Sequence, residues 1–274
     1  MIEVIVTETR EYAKNMRKLI LDALLNSKSG HPGGSLSCTD ILAVLYNEEM
    51  NIDPKNPKKE DRDRLVLSKG HASPALYAAL ALKGFFPVSE MLKFRKIDSF
   101  LEGHPEMKSV PGVDMSTGSL GQGVSAACGI ALSGKKKNEN YHVYTILGDG
   151  ECQEGQVWEA FMFAAHHKLD NLCIFIDNNG LQIDGNIEDV MSPLPLKEKL
   201  LAFNLNVIEI DGHDINAIKS AIAAAKTVTG KPTAVIAKTV KGKGVSFMEN
   251  VASWHGTPPN AEQHAQAIKE VMGQ

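Results

Sequence analysis

The 274-residue sequence lacks the features that mark several common classes of protein. Aromatic residues make up only 6% of it, and the net charge of −4 gives no sign of a nucleic-acid partner. No apolar run approaches the roughly 20 residues of a membrane span, and residues 1–18 lack the features of a secretory signal. We therefore expect a cytoplasmic protein with neither a nucleic-acid nor a membrane partner.

The sequence also has little cysteine and lacks the spacings of common metal and nucleotide motifs. The four cysteines form no CxxC pair and are expected to be reduced, packed thiols: Cys38, Cys128, Cys152 and Cys173. No two histidines have a spacing such as HxxxH, which argues against a zinc site. No GxGxxG opens the first helix, which argues against a dinucleotide-binding module.

Hydrophobic residues make up 43% of the sequence, which is enough for a substantial core, and no linker or repeat divides it. We predict a single α/β domain over residues 1–274, with a mostly parallel sheet flanked by helices. The predicted strands are 64–67, 143–147, 172–176, 206–210 and 233–239. The main predicted helices are 8–28, 38–49, 124–132, 215–226 and 260–272. A further helix that starts at Gly155 is expected to bury Val157, Trp158, Phe161, Met162 and Ala165. Residues 30–35, 97–123 and 181–195 are predicted to be loops.

Two polar motifs, GDG at 148–150 and DNNG at 177–180, follow two of the predicted strands. Because the carboxyl ends of parallel strands meet at one edge of a sheet, we expect Asp149 and Asn179 to lie close together. Their oxygens and the carbonyl of Leu181 are ligands that Mg²⁺ accepts, and Mg²⁺ commonly completes its shell with phosphates. Either motif alone is a common turn, but the pair predicts a metal–diphosphate clamp.

Four histidines that stand beside glycine in loops or at strand ends are candidates for the site: His31, His71, His104 and His255. For any one of them, a hydrogen bond within a loop is the simpler interpretation. Four together predict a cleft lined with neutral donors and acceptors, suited to a polyhydroxylated or phosphorylated substrate and to proton transfer. The other five are predicted to be surface or packing residues: His142, His166, His167, His213 and His264.

Seven motifs occur in the order in which they occur in transketolases, and they span most of the chain: SGHPGGS, LSKGHASPALY, EGHPE, STGSLGQG, GDGECQEGQVWEA, DNNGLQIDG and WHGTPP. The spacing of GDG and NN also resembles the fingerprint of thiamine diphosphate-binding proteins. The sequence thus resembles the N-terminal, diphosphate-binding half of transketolase, as found in members split into two subunits. The resemblance implies the thiamine diphosphate-binding fold. It also implies transfer of a two-carbon ketol unit from a ketose phosphate to an aldose phosphate, as in the pentose phosphate pathway.

The resemblance further implies a role for each matching residue. The implied ligands of Mg²⁺, for which Ca²⁺ or Mn²⁺ can substitute, are Asp149, Asn179 and the carbonyl of Leu181. The implied contacts to thiamine diphosphate are His71, Gly118, Leu120, Asp149, Gly150, Asn179 and His255. The implied catalytic residues around the sugar are His31, His104 and His255. Glu154 resembles a carboxylate that communicates between paired active sites.

The pyrimidine-binding and C-terminal domains of the family have no counterpart in this sequence. The resemblance therefore implies a partner chain that carries them, an α2β2 heterotetramer, and no activity of this chain alone. Two departures from the usual pattern are Ser119, where proline is usual, and KGKG at 241–244, which is more like the deoxyxylulose-phosphate synthases. Two alternatives are the alpha chain of a thiamine diphosphate-dependent 2-oxo acid dehydrogenase and a non-catalytic subunit that binds cofactor or partner.

Overall fold

The computed structural model describes residues 2–273, and side chains within residues 9–273, so Met1 and Gln274 of the predicted 1–274 domain lie outside it. The strands are β1 Arg64–Leu67, β2 Val143–Gly148, β3 Leu172–Asn178, β4 Leu181–Gln182, β5 Gly185–Asn186, β6 Asn206–Asp211 and β7 Thr233–Lys238. The α-helices of the described residues are α1 Ile2–Ser27, α2 Pro32–Ser37, α3 Thr39–Val44, α4 Ser73–Lys83, α5 Gln122–Lys137, α6 Gly155–His166, α7 Ile187–Val190, α8 Leu196–Ala202, α9 Ile215–Thr227 and α10 Ala261–Met272. No helix in the described range combines the length and the apolar character that a membrane crossing requires.

Five strands form one parallel sheet in the order β1-β2-β3-β7-β6, and β4 and β5 form a separate antiparallel hairpin. The five parallel strands are the five predicted from the sequence. The chain passes from β3 to β6 at the sheet edge and returns to place β7 beside β3. The carboxyl ends of β2, β3 and β7 consequently lie side by side, and the functional residues follow these strand ends.

Strands β1, β2, β3 and β7 are buried on both faces, which explains why they read as short continuous apolar runs. In β2, Tyr144 and Ile146 pack on one face, while Val143 and Leu147 pack on the other. This alternation follows from the two-residue repeat of a strand. Helices α1, α3, α4 and α9 contribute to the first core, and α5, α6 and α8 contribute to the second. All four cysteines lie in the described part of the chain and are free, buried thiols, as predicted.

Three local predictions are wrong. The segment 30–35 is not a loop, because α2 begins at Pro32, where the fixed φ of proline favours a first helical turn. The segment 181–195 contains the β4–β5 hairpin and α7. Met162, for which the helical spacing predicts burial, is 59% exposed, because it lies on the outer side of α6 while Val157 and Phe161 fill the core.

Candidate cofactor and substrate site

Asp149 and the Asn179–Leu181 turn meet at the carboxyl edge of the sheet. Asp149 directly follows β2 and is buried. Its carboxylate accepts the N–H of Gly150 at 2.7 Å and the N–H of Gly180 at 2.5 Å, so the motifs after β2 and β3 are joined through this side chain. Burial raises the pKa of Asp149 to about 6 against the opposing effect of these two donors. The predicted proximity of the two motifs is therefore confirmed.

The oxygen atoms around Asp149 are of the kind that a hard divalent cation binds. The Asn179 side-chain oxygen accepts the N–H of Leu181 at 3.1 Å, which keeps this oxygen and the Leu181 carbonyl on the same turn. Among the described residues, no cluster of three or more His, Cys, Asp or Glu side chains could hold a metal ion. A metal here would use one carboxylate, one amide oxygen and one carbonyl, and its remaining ligands would come from a diphosphate or water.

Lys241 occupies a position in this site that the sequence prediction missed. Its ammonium group donates to the Leu181 carbonyl at 3.0 Å and lies 3.0 Å from Nδ1 of His255. Burial lowers the pKa of Lys241 to about 8, and the positive charge of Lys69 adds to the effect. A lysine three residues after the end of β7 was the available sequence signal. Lys241 therefore places a buried, hydrogen-bonded amino group between the Leu181 carbonyl and His255.

Beneath the site, Lys69 and Asp177 form a buried ion pair. Asp177 also accepts hydrogen bonds from the hydroxyls of Ser37 and Thr239, and Lys69 donates to the carbonyl of Gly34 at 2.9 Å. Although burial favours the neutral form of both groups, their attraction raises the pKa of Lys69 and lowers that of Asp177. A paired and fully hydrogen-bonded charge of this kind fixes the floor of the site.

A cavity of about 350 Å³ opens above this floor. All the predicted site residues line it except His31 and His104. The ring of His31 packs near those of His71 and His255, and the ring of His104 lies near that of His31. The wall also includes residues that the sequence prediction did not single out: Gly34, Lys69, Glu151, Gln153, Gln182, Ile183 and Lys241. The N–H of Gly150, which was expected to approach an anion, instead bonds to Asp149.

The segment 117–121 forms the cavity wall that carries Gly118 and Leu120. A Cβ atom on Gly70 would lie 2.7 Å from the Gly118 nitrogen, and one on Gly118 would lie 3.2 Å from the His104 ring. Glycine is therefore required for this close approach of backbone to backbone. The buried carboxylate of Glu151 accepts the N–H of Gly121 at 2.9 Å and fixes the end of the segment.

The four glycine-flanked histidines converge, as the sequence predicted. The ring centroid of His31 lies 5.4 Å from that of His71, 6.4 Å from that of His104 and 5.4 Å from that of His255. His71 and His255 stack with their centroids 5.1 Å apart. Four residues that are up to 224 positions apart in the chain thus form one cluster at the mouth of the cavity.

The histidine rings are neutral near pH 7. Burial lowers the pKa of His31 to about 4 and that of His255 to about 3, and Lys241 contributes to both shifts. Burial also lowers the pKa values of His71 and His104. Nδ1 of His31 is buried and has no hydrogen-bond partner among the described residues. The cluster can therefore donate and accept hydrogen bonds toward a hydroxylated ligand without carrying charge.

Glu154 and Cys152, two further residues near the site, differ in their exposure. Glu154 lines the cavity and is exposed at the start of α6, so it is accessible to another protein chain. Cys152 is 1% exposed, and burial raises the pKa of its thiol well above the usual value. A reactive cysteine needs an accessible thiolate, so Cys152 is a packing residue.

The chain matches the family described as "Transketolase, thiamine diphosphate binding domain" over residues 8–274. It is 46% identical to a 6-deoxy-6-sulfo-D-fructose transketolase chain of a Clostridium species, over 96% of each chain. It is 41% identical to one of the subunits of the apulose-4-phosphate transketolase of Phocaeicola vulgatus, over 93% of this chain and 90% of the relative. The crystal structure of Campylobacter jejuni transketolase superimposes with a TM-score of 0.91 at 37% identity, over 96% of this chain and 42% of that one.

These relatives are transketolases and transketolase subunits, which does not favour the 2-oxo acid dehydrogenase alternative. The match extends over nearly the whole of this chain, and it includes both strand-end motifs and all four clustered histidines. The chain belongs to the transketolase family and carries its thiamine diphosphate-binding domain.

Proposed function

We propose that this chain is the diphosphate-binding subunit of a two-chain transketolase. The observation that carries the proposal is the meeting of Asp149, Asn179 and Leu181 with a neutral histidine cluster at one cavity. Two relatives named as transketolase subunits match this chain over nearly their full length, which supports a division of the enzyme between chains. The partner would contribute the pyrimidine-binding and C-terminal domains, and the complex would be an α2β2 heterotetramer.

Asp149, the Asn179 oxygen and the Leu181 carbonyl would hold Mg²⁺, and the same oxygen donors would accept Ca²⁺ or Mn²⁺. A metal at the Leu181 carbonyl would compete with the Lys241 ammonium for that oxygen, and the ammonium would face the diphosphate together with His71 and His255. Gly118 and Leu120 would contact the middle of the cofactor. When bound, thiamine diphosphate supplies the electron sink for the two-carbon unit.

The remaining chemistry is proton transfer and orientation of the sugar. His31, His104 and His255 would bind the carbonyl and hydroxyl groups of the donor, because neutral rings offer one donor and one acceptor each. Nδ1 of His31, which has no partner among residues 9–273, is available for one of these hydrogen bonds. Glu154 would extend toward a second copy of the chain and couple the paired sites.

For the substrates, we propose a ketose phosphate donor and an aldose phosphate acceptor, as in the pentose phosphate pathway. The two subunit relatives are named for a 6-sulfo ketose and for apulose 4-phosphate, so the donor panel should include both. Each of these sugars carries an anionic group away from the carbonyl. A donor that lacks this group is expected to be used less well.

The test begins with a pull-down of tagged full-length chain from its own cell extract, with Mg²⁺ and thiamine diphosphate present. A partner carrying a pyrimidine-binding domain is expected, and the purified pair should transfer a ketol unit while neither chain does so alone. Steady ketol transfer by this chain alone would contradict the division between chains. Recovery of lipoyl proteins would point to oxidative decarboxylation instead.

Asp149→Ala is expected to abolish metal-dependent cofactor binding in the assembled complex, because it removes the only carboxylate among the proposed ligands. Isothermal titration of thiamine diphosphate with and without Mg²⁺ measures this effect. Asp189→Ala, which removes an exposed carboxylate on α7, is the matched control and should bind normally. Unchanged metal-dependent binding by Asp149→Ala would show that the metal ligands are assigned incorrectly.

A further inference from the structure

Lys241 is carried by residues 239–250, which we call the Lys241 loop. The loop is attached to several parts of the protein through its backbone. Gly242 N–H donates to the Gly33 carbonyl at 3.0 Å, and the Lys243 carbonyl accepts from Arg17 at 3.2 Å. A Cβ atom on Gly33 would lie 3.0 Å from Cγ of Lys241, so the lysine stem runs directly over α2.

The residue before Lys241 is held by a histidine that the sequence pattern assigned to the surface or to packing. The backbone N–H of Val240 donates to Nε2 of His213 at 2.9 Å. This nitrogen must therefore carry a lone pair, and the single proton of a neutral ring must lie on Nδ1. Nδ1 is 2.7 Å from a carboxylate oxygen of Asp40 and donates to it.

Asp40 is in turn fixed in the core of the protein. Arg17 on α1 binds both of its oxygens, at 2.9 and 2.6 Å. Burial raises the pKa of Asp40, but Arg17 and His213 outweigh burial and bring it to about 2, so the carboxylate remains charged. Arg17 on α1, Asp40 on α3 and His213 in the turn after β6 thus connect the interior to the backbone N–H of Val240 in the Lys241 loop.

We propose that His213 is a positioning residue that sets Lys241 in the cofactor site by accepting the Val240 N–H. The hydrogen bond lies directly before Lys241, because the chain passes from β7 to Lys241 through Val240. Without the bond, the amide loses its partner and the segment between Thr239 and Gly242 gains freedom. The proposal rests on the proposed function, in which Lys241 faces the diphosphate.

Two substitutions separate the two nitrogens of His213. In His213→Gln, the side-chain oxygen can reach the former Nε2 position and accept from Val240, whereas the donor to Asp40 is lost. In His213→Asn, the shorter amide can donate to Asp40 but leaves the Val240 N–H without an acceptor. With the partner chain and excess Mg²⁺ present, we expect the dissociation constant of thiamine diphosphate to rise about tenfold in His213→Asn and less than threefold in His213→Gln.

The link to Lys241 is tested by combining His213→Asn with Lys241→Met. If His213 acts through Lys241, adding His213→Asn to Lys241→Met should raise the dissociation constant of thiamine diphosphate by less than twofold. Three results would overturn the proposal. The first is wild-type affinity for thiamine diphosphate in His213→Asn. The others are equal losses of affinity in both histidine variants and a full tenfold further loss of affinity when Lys241 is already replaced. The last two results would indicate a general structural role.

A measurement on the unaltered chain keeps the proposal testable if the variants do not fold. Nitrogen-15 NMR of labelled histidine should show His213 protonated on Nδ1 and unprotonated on Nε2 at neutral pH. Protonation on Nε2 would overturn the proposal, because that nitrogen could no longer accept from Val240. Failure of the wild-type complex to bind thiamine diphosphate would instead contradict the proposed function, and the tautomer measurement is independent of that result.

Discussion

At the scale of single residues, His31 shows how the site keeps its histidines neutral. Its pKa falls from 6.5 to about 4, mainly because the ring is buried and then because Arg95, His104 and Lys241 lie nearby. Between these pH values an unfolded chain binds a proton at this position and the folded chain does not. The free energy of unfolding therefore decreases as the pH falls from about 6.5 to about 4.

His31→Asn should weaken this acid sensitivity. One histidine can contribute at most about 1.4 kcal/mol per pH unit to the slope of unfolding free energy against pH. We expect the substitution to lower the slope by less than this, because the ring of His31 is only partly buried. Urea unfolding of the full chain between pH 4.5 and 7.5 provides the measurement. His166→Asn, which replaces an exposed histidine on α6, is the control. An unchanged slope in His31→Asn would mean that His31 is not held neutral by folding.

At the scale of elements, Glu151 connects two strand ends to the segment 117–121. Its carboxylate accepts from the Ser68 hydroxyl at 2.5 Å, from Gly121 N–H at 2.9 Å and from Gly148 N–H at 3.0 Å. Ser68 follows β1 and Gly148 ends β2. One buried side chain therefore aligns the Gly118 segment with the edge of the sheet.

Glu151→Gln should loosen that segment. An amide group has one acceptor oxygen, so its NH₂ must face at least one of the backbone donors that the carboxylate satisfies. We expect a loss of about 1–3 kcal/mol in unfolding free energy and faster hydrogen exchange at Gly121 or Gly148, whichever N–H faces the amide NH₂. Glu159→Gln changes an exposed glutamate on α6 and should have little effect. Equal stability of the two variants would contradict the role given to Glu151.

At the scale of the whole molecule, the outer side of α6 exposes two large apolar side chains between the polar Glu159 and His166. Met162 is 59% exposed and Phe163 is 40% exposed, and both lie in the middle of the helix that Glu154 precedes. The role proposed above for Glu154, between paired active sites, would bring the start of this helix close to a second copy of the chain. In the proposed α2β2 complex, we therefore place α6 at the contact between the two copies.

Met162→Glu should separate the complex into αβ pairs, because a carboxylate buried at that contact would have no partner. A cost of about 3 kcal/mol corresponds to roughly a hundredfold weaker association of the two halves. Light scattering coupled to size exclusion measures the mass of the assembly. Ala224→Glu adds the same charge at an exposed position on α9 and should leave the mass unchanged. An intact α2β2 complex in Met162→Glu would exclude α6 from the contact.

The sequence by itself determined the five parallel strands, the thiamine diphosphate-binding family and the meeting of two polar motifs at one edge of the sheet. These follow from local signals: apolar runs bounded by glycine give the strands, and polar motifs directly after the strands place Asp149 and Asn179 at one edge. The four glycine-flanked histidines were predicted together and are found together. Such features can be predicted from the sequence because each depends on a few adjacent residues.

Only the tertiary structure decided the strand order, the exposure of Met162 and the parts played by Lys69, Lys241 and Glu151. The same holds for His213, whose partners Asp40 and Val240 are 173 and 27 positions away. A charged side chain in a loop has no periodic pattern to show whether it faces water or a buried partner. Its role is set by contacts between distant segments, and those contacts exist only once the sheet has brought its strand ends together.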